Sequence, residues 1–398
     1  MYVTIAAKKY GNCPEYQGAE LKLPATREAI QDAMERARVP GDGAYQMITF
    51  RGWPAFLQER LARTKARVQE VSFLAGQVRR MDPKRLPEYE GVLACMETER
   101  NGHGCSIKDL INATENLEYF DFLPGIVKDT DLGENALDGD FVRILQDLPD
   151  EVIALMDPAK VGAYLRHSEK GAFTREGYCF RSKEGWQEIY DGQELPETEL
   201  RIKTFLSVRM EERDHPENGN VWLFLPCGSE KLTHVWDFIP SPCLSSCRIT
   251  EVSSMIPVFE EHIGPDEDIG VLNELAGKLE KMTPGERLKY KAVLEFDGWK
   301  SVERSLWLAD RLDEYMFDPS QVSYGDYGRE CLENLGVDCS DPAFERFDFY
   351  QYGMAQYETA GMKLTSYGAV SMEQGLDLSE NEVQEDGLQM GGCACQTM

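Results

Sequence analysis

The alternation of apolar and polar residues in Tyr2–Ala7 and Ala19–Leu23 predicts two half-buried strands at the start of the chain. Thr26 then stands where an N-cap is needed for a helix that puts Ile30, Met34 and Ala37 on one face, and Tyr45–Phe50 alternates again as a strand. Two further helix starts are marked by Asp82-Pro83 and by Ser106. Comparable signals return late in the chain: Thr283-Pro284-Gly285-Glu286 is a capping box with proline at N1, and Ser301 is a second N-cap. Strands and helices alternating in this way predict an α/β chain of the α+β type, with small mixed sheets and acidic helices.

The returning signals belong to a longer self-similarity. Leu74–Leu93 aligns without gaps to Leu275–Leu294, with 8 identities in 20 positions, among them Leu-Ala-Gly, Met81 with Met282, Pro83 with Pro284 and Tyr89 with Tyr290. Chance would give about one from average residue usage. A shift of six residues then pairs Phe122, Pro124, Val127, Asp131 and Gly133 with Phe317, Pro319, Val322, Asp326 and Gly328. A third block pairs Asp157, Gly162, Thr174 and Gly177 with Asp348, Gly353, Thr365 and Gly368, and Leu21, Leu23 and Pro24 match Leu223, Leu225 and Pro226. The expectation is a tandem repeat of an elongated module of several subdomains: one copy over 1–192, a divergent copy over 200–370 and an acidic, disordered tail over 371–398.

Composition narrows the function. Seventy Asp and Glu against 42 Lys and Arg give a formal charge of −28, which repels phosphate backbones, so direct nucleic-acid binding is not expected. No apolar run approaches the roughly 20 residues of a membrane span, and Tyr2–Lys9 reads as a strand, not as the core of a signal peptide. A cytoplasmic protein is expected. The 11 cysteines lack the density of a secreted disulfide framework. His234, Cys243 and Cys247 match no zinc spacing, and Asp129–Gly133 has its glycine one place too early for a calcium loop. Neither a metal nor another cofactor is expected. The motifs Gly-x-x-x-x-Gly-Lys-Ser/Thr, His-Glu-x-x-His and Gly-x-Ser-x-Gly are all missing, which points away from an enzyme.

The charge is unevenly spread. From Arg51 to Glu88 there are nine basic and four acidic residues, whereas Ile111–Asp157 holds 12 acidic and two basic, and Glu295–Asp348 holds 14 acidic and five basic. Acidity recurs in both copies although most individual positions differ, so the field is what both keep. The candidate binding surface comprises Glu115, Glu118, Asp121, Asp129, Asp131, Glu134, Asp138, Asp140, Asp147, Asp150 and Glu151 in copy one. In copy two it comprises Asp310, Asp313, Glu314, Asp318, Asp326, Glu330 and Glu333. Carboxylates three or four residues apart on a helix advance about 5–6 Å along its axis, a spacing of the same order as the roughly 3.4 Å rise per phosphate of a DNA strand.

Several segments carry a family resemblance. Tyr2–Ala6, Gly18–Thr26, Ile107–Asn112, Leu117–Gly125 and Asp131-Leu132-Gly133 resemble the ArdA antirestriction family, and Phe347-Asp348-Phe349-Tyr350-Gln351-Tyr352-Gly353 is similar to its aromatic element near the C-terminus. Copy one has Met156–Gly162 in place of that element. The resemblance implies an elongated, curved protein that mimics bent B-form DNA and occupies the DNA site of type I restriction-modification enzymes. The implied partner is such an enzyme or its DNA methyltransferase core, with no direct nucleic-acid or membrane contact. Fusion of two copies predicts a monomer with an intramolecular pseudo-dimer. The alternative is a general acidic protein that sequesters another basic DNA-binding partner.

Overall fold

The computed structural model describes residues 1–139, 150–196, 205–228 and 246–372 except 12, 14, 40, 42 and 154, together with 230 and 239. The chain divides into two compact units, Met1–Met282 and Thr283–Met398. This division falls between two helices well past residues 193–200, where the sequence repeat restarts.

Unit 1 opens with a three-stranded sheet of β1 (Tyr2–Ala7), β2 (Ala19–Lys22) and β3 (Tyr45–Arg51), in the order β2-β1-β3. Alternation aims Val3, Ile5 and Leu21 inward against Ile30 and Ala33 of helix α1 (Arg27–Arg36), whose first turn is held by Thr26 Oγ1 accepting from the Ala29 amide at 3.1 Å. Mixed sheets were expected, but every strand pairing described is antiparallel. The helical crossover through α1 does make β2 and β3 parallel to each other. They lie on opposite sides of β1, so no parallel pair forms.

The basic stretch after Arg51 forms α2 (Ala55–Arg63) and α3 (Val68–Arg80). Arg60 and Arg63 sit in the last turn of α2 and Arg79 and Arg80 in the last turn of α3, where the exposed carbonyl ends favour positive charge. Glu20 pairs with Arg51 and Glu97 with Arg60, so these cations find their acids within the first 100 residues.

Next comes α4 (Leu86–Glu99), whose buried Tyr89 donates its hydroxyl proton to the Leu110 carbonyl of α5 (Ile107–Ala113) at 2.7 Å. Asp82 caps a short 3₁₀ turn, Pro83–Arg85, just ahead of α4. A second sheet, in the order β4-β6-β5, joins β4 (Phe120–Pro124), β5 (Ala172–Phe173) and β6 (Gly177–Arg181), and between them lie α6 (Asp129–Asp138), α7 (Asp150–Ile153) and α8 (Pro158–Glu169).

The chain then returns across α5 as an irregular strap. Asn112 gives its Nδ2 proton to the Tyr190 carbonyl at 2.8 Å and accepts from the Ile189 and Tyr190 amides at 2.9 Å, and Asn116 brackets Gln187 in the same way. Buried amide side chains thus do the work of a neighbouring strand. Tyr190 also donates to buried Glu70, and Arg67 donates to the Tyr190 hydroxyl and the Gln193 carbonyl. The described chain is therefore fixed as far as Gln193.

A second series of strands and helices follows. Strands β7 (Leu206–Glu212), β8 (Asn220–Leu225) and β9 (Cys247–Ser254) form a sheet ordered β8-β7-β9, and α9 (Pro257–His262) and α10 (Ile269–Lys281) complete unit 1. The Leu23–Pro24 and Leu225–Pro226 peptides, just beyond β2 and β8, are both cis. Unit 2 contains α11 (Pro284–Asp297), α12 (Val302–Ala309), β10 (Tyr315–Asp318), α13 (Tyr324–Asn334), α14 (Phe349–Thr359), β11 (Met362–Thr365) and β12 (Gly368–Met372), with sheet order β10-β12-β11. Thr283 and Glu286 form the expected capping box, and buried Tyr290 donates to the Ser305 carbonyl at 2.8 Å as Tyr89 does to Leu110. Ser371 and Met372, assigned from sequence to the tail, end β12; residues 373–398 lie outside the described residues.

One close approach builds each helix pair. A β-carbon on Gly162 of α8 would fall on the Asp129 carbonyl and within 2.9 Å of the Gly133 nitrogen of α6; one on Gly353 of α14 would fall on the Tyr324 carbonyl and within 2.9 Å of the Gly328 nitrogen of α13. The obstacle is backbone, which cannot swing aside as a side chain can. Gly162→Ala and Gly353→Ala should each lower stability by about 2 kcal/mol or more, the upper part of the usual range for an added methyl group in a packed core or beyond it. Gly285→Ala, where a β-carbon meets nothing within 4 Å, should raise it by about 0.5–1 kcal/mol. Urea titrations of the three variants check both signs.

Candidate functional site

In unit 1 the acidic residues occupy the chain from the end of α5 through α6. Glu115, Glu118, Asp121, Glu134 and Asp138 are exposed, and Asp129 and Asp131 are half-buried. On α6, Asp131, Glu134 and Asp138 follow at i, i+3 and i+7, which sets them along one face over about 10 Å. Glu134 and Asp138 have no ion-pair partner among the described residues.

Not every predicted acid is a bare charge. Asp129 accepts two hydrogen bonds from the Arg166 guanidinium of α8, at 2.8 and 3.1 Å, which hold its carboxyl below the usual range. Asp131 faces Lys128 at 3.4 Å, and Glu115 accepts from Gln77 at 3.1 Å. The sequence places only two bases, Lys128 and Arg143, among the 12 acids of 111–157. Arg166 lies 37 residues from Asp129 along the chain, so only folding brings the two together. Glu151 of α7 is exposed and Asp150 begins that helix; Asp140 and Asp147 lie outside the described residues.

Unit 2 carries a corresponding set. Asp326, Glu330 and Glu333 are exposed on α13 at i, i+4 and i+7, again along one face. Asp313 is exposed in the 3₁₀ turn before β10, and its neighbour Glu314 pairs with Arg311 at 3.0 Å. Asp318 accepts from the Ser320 amide at 2.8 Å, which fixes the turn after β10, and Asp310 is exposed at the end of α12.

Placement along the helices is informative. Asp129, Asp131 and Asp326 lie in first turns, where the positive end of the helix dipole favours them. Asp138 and Glu333 lie in last turns, where the same dipole disfavours an acid by about 0.3–1 kcal/mol. Neither last turn contains a base. These two carboxylates sit where helix stability alone would not put them.

An open cleft of about 260 Å³ in unit 1 is lined by Glu99, Arg100, Asp109, Arg181, Trp186 and Glu188, among others. Its charges are matched: Arg100 holds Asp109 in two bonds at 2.6 and 2.7 Å, Arg181 pairs with Glu99, and Glu188 pairs with Lys108. The run Asp129–Gly133, compared with a calcium loop from sequence, is the first turn and a half of α6. Of the three side chains considered for zinc, His234 and Cys243 lie outside the described residues, and Cys247 is buried at the start of β9. No described helix is long and apolar enough to cross a membrane.

No family model matches the chain, and no curated protein matches it.

From sequence, Tyr350 figures only as part of the aromatic element 347–353, and Tyr164 and Met354 are not singled out. Tyr164 on α8 and Tyr350 and Met354 on α14 all face solvent. The only signal was a near absence of charge in Phe349–Thr359, where Glu358 alone is charged.

Asp109 gives a pH-dependent readout. Burial raises its pKa, but hydrogen bonds from Arg100 and Ser106 outweigh this and bring it down to about 2. A depressed carboxyl contributes stability that is fully present above its unfolded value, about 4, and is lost as pH falls through the folded value. Urea midpoints measured from pH 6 to pH 2 should therefore separate the parent from Asp109→Asn above pH 4, and the two should converge toward pH 2.

Proposed function

We propose that this protein is an antirestriction protein, a non-enzymatic DNA mimic that binds type I restriction-modification enzymes, or their methyltransferase core, through its acidic faces. The observation that carries this reading is the pair of carboxylate rows, Asp131, Glu134 and Asp138 on α6 and Asp326, Glu330 and Glu333 on α13. Each includes an acid in a last turn that the helix dipole disfavours. A row of fixed negative charges suits a channel built from Lys and Arg to hold phosphates. The segments similar to the ArdA family support the same class of partner, and the protein would act where its target acts, in the cytoplasm.

The recurring order of elements supports reading the chain as two divergent copies, over 1–192 and 200–370. Two copies in one chain give a monomer the two acidic arms that a homodimer would assemble from separate chains. Light scattering at micromolar concentration should accordingly return the mass of one 45.1 kDa chain; a stable dimer would contradict it.

The charge reading has a direct test. Neutralising Glu118, Asp121, Glu134 and Asp138 in unit 1 with Asp313, Glu330 and Glu333 in unit 2, by Gln or Asn, leaves the cap and Arg166 contacts intact. If each charge contributes about 0.5 kcal/mol, seven sum to about 3.5 kcal/mol, a few hundred-fold in affinity. Thermal stability should hold or rise slightly, because self-repulsion is relieved. Calorimetry against a purified type I methyltransferase core should show this loss, with a shallower salt dependence. Unchanged binding by the neutralised protein would remove the DNA-mimic reading.

A further inference from the structure

The exposed edge of the α13–α14 pair is unusual for so charged a protein. Phe347, just before the helix, Tyr350 and Met354 are 39%, 44% and 38% exposed. Tyr350 and Met354 are one turn apart and flank the stripe of Gly353 and Tyr357 that is buried against α13, with the Tyr350 ring edge-on to Tyr324 of α13 at 5.5 Å. Exposed apolar clusters rimmed by polar residues mark interaction sites. The outer helix of unit 1 shows a related feature, for Tyr164 of α8 is 63% exposed.

The rim indicates the partner. From Leu335 to Met362 the sequence has five acids, Asp338, Asp341, Glu345, Asp348 and Glu358, against one base, Arg346, and Arg329 of α13 adds a second base over the Phe349 ring. Two of these acids are pinned: Asp341 accepts from the Ala343 amide at 2.8 Å and Asp348 from the Gln351 amide at 3.0 Å. Their charge cannot swing away from an approaching surface. A second copy of this chain would set acid against acid, and a nucleic acid would set acid against phosphate.

We propose that the exposed edge of α14, where it meets α13, docks onto a basic protein surface, with the open sides of Tyr350 and Met354 entering an apolar recess between that surface's Lys and Arg side chains. This rests on the reading of the acidic faces as partner-binding. It adds a contact that DNA does not make, so the partner would hold the mimic at ionic strengths that dissociate DNA. Tyrosine suits such an anchor because it brings large area at low conformational cost. Methionine adapts its shape to an irregular recess.

The test separates this proposal from the reading beneath it. The variant Tyr350→Ser/Met354→Ser leaves Gly353 and the caps intact; because Tyr350 also meets Tyr324, the single variant Met354→Ser is measured beside it, and a melting curve like the parent's confirms folding. Binding to a type I methyltransferase core is measured in low and high salt beside the charge-neutralised protein. The expected result is a loss of about 30-fold at both salts with an unchanged salt slope, whereas the neutralised protein changes the slope. Equal binding by variant and parent overturns the docking face and leaves the DNA-mimic reading standing. If the parent does not bind the methyltransferase core, the function reading fails, and a basic amphipathic Lys/Leu peptide becomes the probe. Binding of that peptide, but not of its Lys/Ser counterpart, weakened in the variant, supports the docking face; equal binding overturns it. Self-association of the parent that the variant abolishes overturns the choice of a basic partner.

Discussion

Backbone meets backbone where α8 crosses α6 and where α14 crosses α13, and the orientation of the acidic rows depends on those contacts. Gly162 and Gly353 have no side chain, so each outer helix can settle against the carbonyls of its neighbour. Such proximity brings main-chain dipoles and Cα–H groups of the two helices together, with little room for slippage. Once the crossing is fixed, the inner side of α6 is decided by Leu132, Gly133 and Ala136, and the outer side is left to the acids. In α13 the buried positions are Gly325 and Gly328, which again leaves Asp326, Glu330 and Glu333 outward.

A charge of −28 opposes compaction, and the fold manages it by distribution. Acids in first turns and arginines in last turns meet helix dipoles of the right sign, and bidentate pairs such as Arg166 with Asp129 and Arg100 with Asp109 neutralise charge where elements converge. Among the described residues, acids without an ion-pair partner such as Glu134 and Asp138 stand on an exposed helix face. The surface therefore has two kinds of acid: those that hold the structure, such as Asp109, Asp157 and Asp348, and those that do not contribute to it, such as Glu134 and Asp138. Tyr350 and Met354 of α14 follow closely in sequence on two acids of the first kind, Asp341 and Asp348.

Local signals in the sequence located elements well. Thr26, Ser106, Thr283 and Ser301 all cap helices where their positions implied, and Tyr2–Ala7 is a strand over the span that alternation marked. These features depend on neighbours within four residues, so one sequence suffices to read them. The helices α2 and α3 were legible only as a basic stretch. Their arginines dominate the composition, while the apolar stripe that buries Leu57, Leu61, Val71 and Leu74 is interrupted by the turn between them.

By itself the sequence determined the caps, the strand alternation, the matching order of its two halves and the concentration of acids in 111–157 and 295–348, because each is a property of residue type and spacing. It also marked Gly133, Gly162, Gly328 and Gly353 as matched positions, without showing that they touch. Only the tertiary structure decided that Gly162 lies on Gly133 and Gly353 on Gly328, that Arg166 removes Asp129 from the bare acids, and that Asn112 and Asn116 strap the chain returning to Gln193. Each of these joins residues far apart in sequence, and their pairing is set by how whole helices and strands pack.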